Sequence, residues 1–114
     1  MRYECESFAR SGDGWEAHVR VPASSPYFHG HFEGAPVLPG VALLVIAREI
    51  LARRVPGLPE LLGLSALRFR SKVAPGQRLT LTWTQKGGRE LELVAHVDET
   101  IAAECRLLLA GALP

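Results

Sequence analysis

The chain has 114 residues, of which 47% are hydrophobic and 22% charged, with a formal net charge of +1. That length suits one domain spanning residues 1–114 and burying roughly two-thirds of its unfolded surface. The composition excludes disordered and fibrous classes, and the near-neutral charge gives no bulk field for nucleic acid. The longest apolar run, Val41 to Ala47, is broken by Arg48 and Glu49. It falls far short of the roughly 20 residues a membrane span needs. The N-terminal MRYECESFAR has no apolar core, so no signal peptide is expected. Cys5 and Cys105 have neither CxxC nor metal-ligand spacing. They read as free thiols of a cytoplasmic protein, on terminal strands that often neighbour each other, with no bond expected. There is no glycine-rich phosphate loop, no metal-ligand set and no Ser-His-Asp pattern, so neither cofactor nor metal is expected.

Arg2 to Phe8 alternates charged and apolar residues and predicts a strand. Ser11-Gly12-Asp13-Gly14 predicts a turn. Trp15 to Val21 follows as a half-buried strand, with Trp15, Ala17, Val19 and Val21 on one face. Pro22 to Pro26 interrupts it. A loop rich in glycine, proline and histidine then leads into a helix from Val41 to about Val55, roughly four turns long. This helix is apolar nearly all round in its first two turns, as a buried helix is. Arg48, Arg53 and Arg54 lie toward its C-terminal end, where cations suit the macrodipole, and Pro56-Gly57-Leu58-Pro59 ends it. Residues 60–63 read as an irregular connection. Four alternating segments follow: Leu64 to Val73, Arg78 to Gln85, Arg89 to Asp98 and Ile101 to Ala110. In the first, Leu67, Phe69 and Val73 oppose Arg68, Arg70 and Lys72. Two strands, one long helix and then a run of antiparallel strands is an α+β pattern.

Pro39-Gly40 stands where the loop enters the helix. Proline has no N–H to leave unpaired there, and glycine lets another group approach the backbone. The free N–H groups of a helix start can hold an anion or a carbonyl oxygen. His31, whose side-chain type titrates near neutrality, precedes it by a short loop. Base and oxyanion donor are thereby brought close in sequence.

Gly30-His31-Phe32-Glu33-Gly34-Ala35-Pro36-Val37-Leu38-Pro39-Gly40 resembles the G-H-F-P-G-x-P-x-x-P-G signature of the 3-hydroxyacyl-ACP dehydratases, of the FabZ type and the shorter ApeI-like type. Ten of the eleven positions fit, and Glu33 replaces a proline. The missing N-terminal extension of the FabZ type makes the ApeI-like branch the closer expectation. The resemblance implies a hot-dog fold, an antiparallel sheet wrapped around one long central helix, and a homodimer with two-subunit sites. It implies that His31 removes the C2 proton of a 3-hydroxyacyl thioester and that the N–H groups of Gly40 and Val41 polarise the thioester carbonyl. Phe32, Gly34, Pro39, Val41 and Val45 would then line the substrate site.

In that family a carboxylate fourteen residues after the histidine protonates the departing hydroxyl. Here that position is Val45, which has no proton to give. The nearest helix carboxylate is Glu49, one turn on and within about 40° of the same direction. Two readings stay open: a displaced acid, or a carboxylate paired with Arg48, Arg53 or a strand arginine. His29 and Glu33 read as ordinary loop residues. Arg68, Arg70 and Lys72, with Arg53 and Arg54, form a basic set that would suit an acidic acyl carrier protein or would simply be a solvated face. Trp15, Phe28, Phe32 and Trp83 read as core, with an acyl tunnel as the alternative.

The expected activity is a dehydratase of carrier-protein or CoA thioesters in fatty-acid, polyketide or aryl-polyene-type synthesis. A hot-dog acyl thioesterase and a non-catalytic acyl-binding subunit paired with an active homologue are the alternatives.

Overall fold

The computed structural model describes residues 2–28 and 37–114. Its elements in chain order are β1 (Glu4–Ser11), β2 (Gly14–Arg20), a 3-10 turn (Pro26–Phe28), α1 (Gly40–Arg54), β3 (Leu61–Phe69), β4 (Arg78–Gln85), β5 (Glu90–Val97) and β6 (Thr100–Leu109). The strands form one sheet in the order β1-β2-β4-β5-β6-β3, antiparallel at every pairing.

Period-two alternation decides which face of the sheet meets the helix. In β4 and β5 buried and half-buried residues alternate almost without exception. The register carries the apolar set from strand to strand: Trp15 opposes Trp83, Ala17 opposes Leu81, and Leu81 opposes Ala95. Because a one-residue slip would turn all these side chains outward, burial itself holds the register. Helix α1 buries Ala42, Leu43, Ile46, Ala47, Ile50 and Leu51, a stripe at helical spacing. A six-stranded antiparallel sheet closed over one helix is the hot-dog fold.

Gly14 opens β2 where no side chain fits. A Cβ there would run into the main chain of Trp83, lying 2.7 Å from its carbonyl carbon. Trp15, Phe28 and Trp83 are buried in the core.

The segment after α1 departs from expectation. Residues 61–63, expected as connection, are the start of β3, and the strand stops at Phe69 rather than Val73. Pairing across the sheet decides this: Leu61 opposes Leu109 and Leu64 opposes Leu107, so the apolar end of β6 draws the earlier leucines into register. The register shifts between Ser65 and Arg68, where Ala66 has φ of 52°. Such a bulge turns the strand and breaks its alternation. Beyond Phe69 the N–H groups of Arg70 and Ser71 both donate to the Ala102 carbonyl. Arg70 and Lys72 therefore lie outside the strand, and the expected basic row on one strand face does not form.

Cys5 on β1 and Cys105 on β6 are separated by three strands, so they are not neighbours; both are free thiols. Burial pushes the Cys105 thiol above its ordinary value. Among the described residues no helix is long and apolar enough to cross a membrane, and no group of three metal-ligating side chains occurs.

Candidate functional site

The start of α1 offers open donors. Pro39 precedes it in extended conformation, and no side chain among the described residues caps it. The first helical bond runs from the Leu43 N–H to the Pro39 carbonyl, at 3.2 Å. Gly40, Val41 and Ala42 thus carry N–H groups with no acceptor among the described residues. The close approach that glycine permits at position 40 is made by Phe69. A Cβ on Gly40 would lie 2.5 Å from the ring's Cζ and 2.8 Å from Cδ1. Phe69 is 52% exposed, so its ring can swing away. Gly40→Ala stands at the first helical position, where the gain in propensity is smaller than the roughly 0.5–1 kcal/mol of a helix interior. Its stability in a urea titration is accordingly expected to stay within about 1 kcal/mol of wild type.

Val41 and Val45 are one turn apart on the outward face of α1, 71% and 39% exposed. They form one wall of a groove of about 230 Å³, closed by Leu58, Leu61, Leu64 and Leu107 among others. Among the described residues Arg48 is the one charged side chain on its lining. The position where the resemblance places an acid is therefore an apolar wall.

Glu49 is half-buried and turned toward the N-terminal segment. The Tyr3 hydroxyl donates to its Oε1 at 3.1 Å. Among the described residues no arginine, lysine or histidine nitrogen lies within ion-pair distance of Glu49. Of the two open readings, the pairing with an arginine is absent among the described residues, and Glu49 is bonded by a tyrosine instead. Burial raises the Tyr3 hydroxyl above its ordinary value, and the bond and charge of Glu49 add to it; Arg53 opposes them. The pair sits in a recess of about 480 Å³ between Arg2–Cys5 and the last turns of α1, with Ile50, Arg53 and Arg54. Glu49 also borders, with Val45, Arg48, Ala52 and Arg53, a hollow of about 330 Å³, so residues 45 and 49 do share a side of the helix. No local pattern ties position 3 to position 49; only the packing of β1 beside α1 reveals Tyr3.

Of the sequence-derived site residues, Pro39, Gly40, Val41, Val45 and Glu49 are placed. Pro39 and Gly40 border a hollow with Phe69 and Lys72, Val41 and Val45 the apolar groove, and Glu49 the Tyr3 recess. His31, Phe32 and Gly34, with His29 and Glu33, lie outside the described residues. In the basic set, Arg70 is bound to Glu104 at 2.9 Å, which raises the guanidinium and lowers the carboxyl relative to their ordinary values.

The family model for ApeI-like proteins, described as ApeI dehydratase, matches residues 7–105. The 3-hydroxyacyl-[acyl-carrier-protein] dehydratase FabZ of Thermotoga maritima is 37% identical over 107 residues, covering 87% of this chain and 78% of its own. The FabZ of Pelotomaculum thermopropionicum is 36% identical over 101 residues, 79% of this chain and 72% of its own. Among solved structures, the dehydratase heterocomplex ApeI:P of Xenorhabdus doucetiae superposes with a TM-score of 0.81 at 20% identity, over 96% of this chain and 98% of that one. A hypothetical thioesterase protein with coenzyme A from Streptococcus pneumoniae TIGR4 gives 0.63 at 16% identity, over 98% and 91%. These two are likenesses of fold.

Proposed function

Because this chain belongs to the ApeI-like dehydratase family, we propose that it interconverts 3-hydroxyacyl and 2-enoyl thioesters carried on an acyl carrier protein or coenzyme A. The observation that carries this reading is that Val41 belongs to two features at once. Its N–H is one of the uncapped donors at the start of α1, and its side chain walls the apolar groove. Donors for a thioester oxygen thus adjoin space for a hydrocarbon chain.

In the proposed reaction His31 takes the C2 proton and the resulting electron pair forms the C2–C3 double bond. The C3–O bond breaks, and the oxygen leaves as water with a proton from Glu49. Charge that develops on the thioester oxygen is met by the N–H groups of Gly40 and Val41. Phe32 and Gly34 would shape the loop side of the site, and Pro39, Val41 and Val45 the helix side. Residues 1–114 act as one domain, and the two thiols suit a reducing cytoplasm.

A second copy completes the site. Strand β3 is a sheet edge carrying exposed Leu62, Leu64, Leu67 and Phe69, whereas the opposite edge, β1, carries Glu4, Glu6 and Arg10. An apolar edge beside exposed Val41 and Val45 supports a homodimer. A second reading, an acyl-binding subunit that relies on an active homologue for its acid, is favoured by Val45 in an apolar wall. A relative of the same fold is described as a heterocomplex.

The test is an enoyl-thioester assay with crotonyl-CoA and a longer carrier-linked enoyl substrate. Loss of enoyl absorbance without release of free thiol is expected. Thiol release from acyl-CoA without hydration would instead make the protein a thioesterase.

A further inference from the structure

Glu49 is held from outside its own helix. Its partner, Tyr3, stands 46 residues away in the chain and leads into β1. A glutamate on a helix surface ordinarily samples several rotamers, and a bond from a separate element removes that freedom. Resting on the reading of Glu49 as the acid, we propose that Tyr3 is a positioning residue: its hydroxyl fixes Oε1 of Glu49 and leaves Oε2 to exchange the proton of the substrate's 3-oxygen.

The surroundings single out Tyr3 for this part. From its own helix Glu49 is flanked by Arg48 and Arg53, with Arg54 at the rim. From the N-terminal segment the recess is lined by Arg2, Glu4 and Cys5 as well as Tyr3. Arg48, Arg53 and Arg54 are exposed, and none of the three comes within ion-pair distance of Glu49. Solvent screens them, so they cannot fix a carboxylate's orientation. Tyr3 is half-buried, and its hydroxyl bond to the carboxylate, at 3.1 Å, is directional. Tyr27, in the 3-10 turn, lies near enough for its charge to act on Tyr3. Its own hydroxyl is buried without a partner among the described residues. Tyr27 is four residues from His31 in the chain.

Tyr3→Phe keeps the ring and removes only the donor. Hydration of a carrier-linked enoyl thioester should lose about 10-fold in kcat, with KM and thermal midpoint nearly unchanged. In a Glu49→Gln background the same substitution should cost almost nothing more, since two groups acting as a unit are non-additive. An equal loss in both backgrounds overturns the proposal. A separate readout is the ultraviolet titration of the phenolate in a Tyr27→Phe chain, where Tyr3 is the one tyrosine left. Glu49→Gln should move that titration down toward the ordinary value, though not fully, because burial is the larger cause. An unmoved titration means the pair does not form and overturns the proposal directly. A wild type without hydratase activity overturns the reaction and Tyr3's part in it, while the titration still reports whether Tyr3 holds Glu49.

Discussion

Glu49→Gln is expected to slow enoyl-thioester hydration by about 10²–10⁴-fold, the usual range for a lost general acid–base group. Glutamine is isosteric and its amide oxygen can still accept from Tyr3, so the loss would report the missing proton rather than a collapsed recess. His31→Ala should cause a loss of similar size. Val45→Glu in the Glu49→Gln background is the informative rescue. It restores a carboxyl fourteen residues after His31, at the groove wall, where Val45 is 39% exposed in the single chain. Partial recovery would show that either helix position can deliver the proton, as their shared hollow suggests. Silence in the wild type, with activity appearing only in Val45→Glu, would instead identify a subunit whose groove is intact and whose acid lies in another chain. The assay is one absorbance trace per variant, so all outcomes are read on the same scale.

Ile46→Ala is expected to destabilise the fold by about 2–5 kcal/mol, the range for truncating a large aliphatic side chain in a core. Ile46 is one residue from Val45, yet it is 0% exposed and faces the sheet. For a domain whose whole stability is of order 5–15 kcal/mol, this is a large fraction. A urea titration should show a lower midpoint with an unchanged slope. A cost below about 1 kcal/mol would mean that α1 does not present this residue to the sheet. The contrast with Val45→Glu makes the pair a test of helix phase: a charge is tolerated at 45, while a truncation at 46 is costly.

Much of the architecture was legible in the chain because its signals are local. The alternation in Arg78 to Gln85 and Arg89 to Asp98 needs only the two-residue period of a strand, and the observed β4 and β5 agree to within a residue at either end. The helix was legible from its apolar content and the Pro-Gly before it, and its observed start at Gly40 is one residue early. The signature around His31 pointed to the family, which the relatives bear out over most of the chain. In β3 the local pattern misled, because a bulge at Ala66 and pairing with β6 override the alternation of leucine and arginine.

By itself the sequence determined the fold class, the order of elements, the family, and the fact that Val45 stands where a carboxylate is usual. The α+β class and the order of elements follow from residue type and period; the family, the hot-dog arrangement and the usual carboxylate follow from the resemblance of the Gly30–Gly40 signature. The tertiary structure decided what surrounds those residues. It set Phe69 over Gly40, made Val45 part of an apolar wall, and gave Glu49 a tyrosine as its partner, where an arginine was one of two open readings. Each depends on which distant strand packs beside α1, and such contacts are fixed by burial across the sheet rather than by neighbours along the chain.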